Sequence, residues 1–267
     1  MNTFRTMSAV IVAVLLAIGC GSGKPQDASA TDTHGQPEQP TRLAEMPANA
    51  SSTATAGRAS IHGTVHFTGT APTPEKVKMD ADPICQQQHA TPVYMEDAVV
   101  SNSMLKNVFV YVKDGAKGPF PSPTTPVVLA QAGCWYNPHI FGIQVDQPLE
   151  IVNNDATLHN INAKPTINQP FNVAQPVKGM KMTKKFAKPE IMVKFKCNVH
   201  PWMNAYVGVV DNPFFSVSGA DGSFTITGLP AGTYTLEAWH EKYGTQTQTV
   251  TVADGETKTV DLTFTAK

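Results

Sequence analysis

At 267 residues the chain is long enough for one large or two small domains, and 20 Lys+Arg against 21 Asp+Glu leave a formal net charge of −1. Nothing in that balance suggests the clustered basic face of a nucleic-acid-binding protein, so no nucleic-acid partner is expected. Charged residues are only 15 %, and 19 Gly with 21 Pro point to β-structure broken by many turns.

At the N-terminus Arg5 supplies a positive n-region, and the apolar run from Val10 to Ile18 is too short for a bilayer span. It ends in Leu16-Ala17-Ile18-Gly19-Cys20, which resembles a bacterial lipobox with Ala17 where Leu is commoner. Residues 1–20 are therefore expected to be a lipoprotein signal peptide. Cys20 would be the lipidated first residue of an exported chain, anchored at about 0.8 kcal/mol per buried methylene; the rival is an ordinary signal peptide that discards Cys20. Export places the protein in the periplasm or at the cell surface, where disulfides persist. Residues 21–58 hold no aromatic side chain and are rich in Ser, Thr, Ala, Pro, Gln and Gly. Such a segment cannot bury enough apolar surface to fold and reads as a disordered tether.

From Ala59 on, short strands alternate with turns. Ile61-His62-Gly63-Thr64-Val65-His66-Phe67 alternates apolar and polar residues, as a half-buried strand does. Lys106–Val112 predicts another strand, and Gly115–Pro126 must be loop. Further strands are expected at 127–130, 140–145, 149–152, 159–163, 180–186, 191–197, 205–210, 223–227, 233–240, 247–252 and 258–264. Asp221-Gly222, Leu229-Pro230-Ala231-Gly232 and Ala253-Asp254-Gly255 supply turns. No long segment has helical periodicity, so the fold class is all-β, of β-sandwich type.

The tail from Val217 resembles a carboxypeptidase regulatory-like domain, a small Ig-like or carbohydrate-binding-like β-sandwich. The match lies in Asp221-Gly222-Ser223-Phe224, Gly228-Leu229-Pro230-Ala231-Gly232-Thr233-Tyr234 and the final Thr/Val strands. Such modules usually open with a Gly-x-Val strand, and here Gly63-Thr64-Val65 is the candidate. The expected organisation is one such module formed by residues 59–124 and 213–267, with a separate domain, 125–212, inserted into it. This predicts that residues 61–67 pair with a strand of the C-terminal stretch.

The inserted segment carries the chemistry. Cys197-Asn198-Val199-His200-Pro201-Trp202-Met203 places a thiolate, an imidazole and a thioether within seven residues. Soft sulfur with imidazole suits copper, and Cys with two His and a distant Met is the blue-copper donor set. The second imidazole is expected from His159, in Asn153-Asn154-Asp155-Ala156-Thr157-Leu158-His159-Asn160-Ile161. Parity puts Ile191, Val193, Phe195 and Cys197 on one face of a strand and Lys194 and Lys196 on the other, so Cys197 points inward. Strand-x-Asn…His-Asn-Ile followed by Cys-x-x-His-Pro-aromatic-Met resembles the cupredoxins, over about Gly142 to Val210. The short ligand loop is most similar to that of amicyanin.

The resemblance implies a Greek-key β-sandwich holding one type 1 copper, with His159, Cys197 and His200 as equatorial ligands and Met203 as the axial one. It implies that Asn160 ties the two ligand loops together by hydrogen bonds, with Pro201 beside it around the site. His200 is expected nearest the surface, framed by Pro201 and by Trp202 on the partner-docking rim. It implies a one-electron carrier rather than an enzyme, exchanging electrons with a c-type cytochrome, an exported dehydrogenase or an oxidase. Other readings are a surface lipoprotein binding carbohydrate or a protein partner, which a row of exposed aromatics among Tyr234, Trp239 and Tyr243 would favour, and a copper storage or delivery protein with a more open site.

If Cys20 carries lipid and Cys197 holds metal, Cys85 and Cys134 remain and most simply pair. The rival is a disulfide from Cys197 to either, leaving one odd thiol. Zinc competes for the His/Cys donors but seldom recruits Met. His89, His139 and His240 are more readily satisfied surface or strand-end residues than ligands of a second metal.

Overall fold

The computed structural model describes residues 57–266; the expected signal peptide, Cys20 and the expected tether as far as residue 56 lie outside the described residues. In chain order the elements are β1 (Ala59–Thr68), α1 (Pro83–Gln87), β2 (Val100–Ser101), β3 (Met104–Leu105), β4 (Phe109–Asp114), β5 (Val127–Gln131), β6 (Tyr136–Asn137), β7 (Ile140–Gln144), β8 (Leu149–Asn153) and β9 (His159–Lys164). They continue with β10 (Phe171–Gln175), β11 (Lys181–Lys184), β12 (Glu190–Lys196), β13 (Asn204–Val210), β14 (Phe215–Val217), β15 (Ser223–Leu229), β16 (Gly232–His240), β17 (Gly244–Val252), β18 (Thr257–Thr259) and β19 (Leu262–Thr265).

Among the described residues, four sheets pack in pairs around two apolar cores. One sheet runs β15-β1-β3-β2, with β18 and β19 also on β1, and its companion runs β14-β4-β16-β17. Both contribute to a core that includes Ile61, Val65, Val110, Phe224, Ile226, Leu236, Val250 and Phe264. In the second pair, β10-β9-β12-β13-β7 faces β11-β8-β5-β6, across Leu129, Tyr136, Ile143, Ile151, Ile161, Phe195 and Val207.

β1 joins the two ends of the described chain. It lies antiparallel to β15, with Ile61 opposite Ile226 and Gly63 opposite Phe224. It also lies parallel to β19, with Val65 opposite Leu262 and Phe67 opposite Phe264. Its alternation puts Ala59, Ile61, Val65 and Phe67 into the core on every second residue. The expected continuous strand at 258–264 is instead two, β18 and β19, both beside β1.

The two sandwiches meet at a third apolar cluster of Phe109, Tyr111, Ile140 and Val210, with Met192, Phe215 and Trp239 against it. Gly142 and Gly208 face one another on β7 and β13. A Cβ on Gly208 would come within 2.5 Å of the Phe109 ring, and one on Gly142 within 2.3 Å of Phe215. Two glycines side by side thus make the floor on which these rings rest.

The parity expected for 191–197 holds only from Val193 onward. A bulge between Glu190 and Val193, with Met192 at φ +61°, inserts a residue out of register. Ile191 therefore packs into the inter-sandwich cluster, whereas Val193, Phe195 and Cys197 enter the second core.

Candidate metal centre

The site forms where two loops close one end of the second sandwich. β12 delivers Cys197 inward, and the 197–203 loop folds back through two backbone bonds, Cys197 N–H to Met203 O and Met203 N–H to His200 O, both 3.0 Å. Met203 is fully buried in the same core as Cys197. From the facing loop, His159 opens β9 and is also fully buried.

One nitrogen of His159, one of His200 and the Cys197 sulfur all lie within 4.8 Å of one another, and all three residues are buried. The two imidazoles present Nδ1 to each other at 2.9 Å, and His200 Nδ1 is 3.9 Å from Cys197 Sγ. An ion bound at about 2.0 Å to nitrogen and 2.3 Å to sulfur needs ligand pairs about 3–4 Å apart, so these spacings fit one. The ring orientations fit as well. His159 Nε2 meets Asp155 Oδ2 at 2.8 Å and His200 Nε2 meets Asp82 Oδ2 at 3.0 Å. A proton held at each Nε2 leaves the Nδ1 lone pair free for metal.

The thiol is prepared for the same task. Burial works against its ionised form, but hydrogen bonds to His159 and His200 and from the backbone outweigh burial and hold Cys197 down to about 5. The thiolate is the metal-binding form. The backbone N–H of His200 lies 3.4 Å from Sγ. Burial opposes the imidazolium of His159, yet Asp155 and Cys197 raise its pKa.

Asn160 Oδ1 accepts from Asn198 N–H at 2.6 Å and lies 3.4 Å from Cys197 Sγ, so it links the two ligand loops directly. Pro201 is exposed and lines a cleft of about 700 Å³ together with Val199, His200, Trp202 and the 75–82 segment.

His200, expected nearest the surface, is the one of the four donors that lines this cleft, but it is covered more closely than the sequence suggested. It is only 2 % exposed, because α1 and its N-cap Asp82 lie over the ring. Trp202 is half-buried rather than free on a rim. Its Nε1–H donates to Cys134 O at 2.9 Å and its ring lies 5.2 Å from that of His200.

Cys85 and Cys134 form a disulfide with an S–S distance of 2.02 Å, and Cys197 is a free, buried thiol. The bridge lies against the site, with Cys85 Sγ 3.5 Å from His200 Nε2. The tight turn carrying Gly133 and Cys134 aims both backbone N–H groups at Asp155, at 2.9 and 2.8 Å. Asp82, Asp155 and Tyr136 went unread in the sequence; Tyr136 is fully buried in the core that holds Cys197 and donates to Asn160 O. Asp155, four residues before His159, carried a local signal; Asp82 did not.

The weaker histidines have protein partners. His89 Nε2 meets Gly133 O at 2.7 Å. His139 bonds Asn204 O at 3.1 Å and Glu241. His240 Nδ1 accepts from Lys242 N–H at 3.1 Å. Tyr234, Trp239 and Tyr243 form no exposed row. Tyr234 is buried, Trp239 packs 5.2 Å from Tyr206, and Tyr243 stacks on His240.

Fold and site together define an all-β protein of several sheets, one sandwich of which encloses a buried His/Cys/His/Met group. Residues 199–265 match the carboxypeptidase regulatory-like domain family. That match begins inside the ligand loop, although in three dimensions the strand beside β15 is β1 and β13 belongs to the other sandwich.

Among solved structures, the chain is similar to a methionine-to-alanine variant of amicyanin in the Cu(I) state (19 % identity, 32 % of this chain and 81 % of that one, TM-score 0.28). It is also similar to a purple cupredoxin from Nitrosopumilus maritimus (23 %, 32 % and 97 %, TM-score 0.27). A copper-containing nitrite reductase from Thermus scotoductus matches as well (24 %, 37 % and 25 %, TM-score 0.28). No curated protein matches the chain.

Proposed function

We propose that this protein is a one-electron carrier of the cell envelope, in which His159, Cys197 and His200, with Met203 as a fourth donor, would hold a single copper ion. The observation that carries the reading is the convergence of one nitrogen from each imidazole and the Cys197 sulfur within 4.8 Å among buried residues, with the thiol lowered toward its ionised form. Soft sulfur with imidazole selects copper over harder ions. A bound copper ion supplies storage for one electron between its two oxidation states.

The protein's own part is to hold the donors still. Asp155 and Asp82 fix the imidazoles, Asn160 fixes the thiolate loop, and the 197–203 loop is closed by its own backbone. Donors fixed in this way need little rearrangement when charge changes. Burial of all four side chains keeps substrate-sized molecules from the donors, which favours a carrier over an enzyme and over an open delivery site. Electrons then pass to and from protein partners, a c-type cytochrome or an exported dehydrogenase or oxidase, through small transient contacts. Lipidation at Cys20 would hold the carrier at a membrane.

The test is to load the full chain with Cu(II). An intense visible thiolate-to-copper band is expected, with reversible one-electron voltammetry. Cys197→Ser should abolish the band. A colourless copper-loaded protein overturns the reading, and a band without reversible electron exchange favours delivery.

A further inference from the structure

Each ligand imidazole is backed by a carboxylate, but the two carboxylates come from different places. Asp155 belongs to the same loop as His159. Asp82 comes from 118 residues before its ring, on the segment between β1 and β2, outside both sheets of the second sandwich. Its Oδ2 accepts from His200 Nε2 at 3.0 Å and from Thr157 Oγ1 at 3.0 Å. Its Oδ1 caps α1, accepting from Ile84 N–H at 2.9 Å and Cys85 N–H at 3.3 Å. The residue it caps toward, Cys85, is joined to Cys134, whose carbonyl holds Trp202 and whose N–H holds Asp155. No sheet pairing holds this segment on the sandwich; among the described residues its only ladder contact is an isolated bridge between Lys76 and Tyr94 within the segment itself.

We infer that Asp82 is a positioning residue for His200, held on the ring by the Cys85–Cys134 disulfide, and that together they set how strongly the site favours Cu(II) over Cu(I). This inference rests on the copper reading above. The physical argument is direct. A carboxylate accepting the Nε2 proton makes the imidazole a stronger donor through Nδ1, and a stronger, more anionic donor set favours the more highly charged ion. The disulfide supplies the constraint that sheet pairing does not. Without it, Asp82 would rely on the packing of Val77 and Met79 into the core, the His89–Gly133 bond and its own bond to Thr157, since a five-residue helix is marginal by itself.

The experiment compares Asp82→Asn, the Cys85→Ala/Cys134→Ala double variant and all three changes combined, in the full copper-loaded chain. Asp82→Asn is expected to lower the ratio of Cu(II) to Cu(I) affinity about tenfold, read as a rise of about 59 mV in reduction potential. The thiolate band should persist, since all ligands remain. The disulfide variant should move the potential the same way, and the combined variant should add little to either. An unchanged potential in Asp82→Asn overturns the inference. Fully additive shifts overturn the claim that the bridge acts through Asp82.

A metal-free readout separates this from the copper reading. In alkaline buffer, two-bond nitrogen–proton NMR correlations of the metal-free chain should show His200 protonated at Nε2, and Asp82→Asn should weaken that preference. If the parent chain gives no copper band but this tautomer shift appears, the positioning role stands and the carrier reading falls. If the band appears and neither tautomer nor potential moves, the reverse holds.

Discussion

The sandwich built on β1, β4, β15 and β16 has a core of aliphatic and aromatic side chains, with His240 and Ser218 among its few buried polar groups. The sandwich built on β8, β9, β12 and β13 has an apolar core of similar make-up. One end of it also buries Gln131, Asn153, Asp155, His159, Asn160, Gln175 and His200. Most of these are bonded within the group: Gln131 to Gln175, Asn153 to Gln175 and the backbone of Asp155, and His159 to both Asp155 and His200. Buried polar groups cost free energy unless paired. A connected set at one end of an otherwise oily core therefore marks where the fold serves chemistry rather than stability alone.

That contrast can be tested by damaging each core in turn. Phe195→Ala is expected to cost about 3–5 kcal/mol and to weaken copper uptake, because Phe195 is two residues from Cys197 on the same face. Leu236→Ala should cost about 2–5 kcal/mol yet leave the thiolate–copper band intact in the folded fraction. Urea denaturation with the band as a second probe checks both. Loss of the band in folded Leu236→Ala would show that the two cores are not separable.

Acid should probe the two sandwiches in different windows. Burial pushes the His240 imidazole down to about 4, with Glu241 and Asp97 opposing and His139 and Lys242 reinforcing the shift. The unfolded chain then takes a proton below its ordinary pKa of 6.5 while the folded one does not. Stability should fall as pH drops from about 6.5 to 4, by about 3 kcal/mol. His240→Gln should flatten that slope in denaturation curves measured across the range.

Glu190, at the start of β12, behaves differently. Burial disfavours its charge, but Thr166 and Asn168 together supply four hydrogen bonds that hold its carboxyl below the usual 4.5. Its contribution is present above that value and is lost as pH falls further. Glu190→Gln should cost about 1–3 kcal/mol at neutral pH and remove this lower acid limb. Overlap of the two transitions in a single window would erase the distinction.

Much of the site was legible because it is local. Cys197, His200 and Met203 sit in one seven-residue loop, and His159 with Asn160 open a strand whose alternation is visible in the residues themselves. The 61–67 strand showed its alternation as well. The bulge at Met192 was not legible, since it arises from how β12 pairs with β13, and it sent Ile191 to a different core from Val193. The cover over His200 was not legible either. Asp82 has no periodic or motif relation to its ring, and α1 is too short to leave a helical pattern.

The sequence by itself determined the donor types, their loop spacing, the β-rich class and which cysteines were left over to pair, because these follow from side-chain chemistry and from alternation over a few residues. Only the tertiary structure decided that Asp82 backs the His200 imidazole, that the His200 edge is covered by the disulfide-linked segment, and that β1 stands beside both β15 and β19. Those outcomes depend on contacts between residues more than a hundred positions apart. No local propensity encodes such contacts; they are fixed by which surfaces can be buried together once the strands have formed.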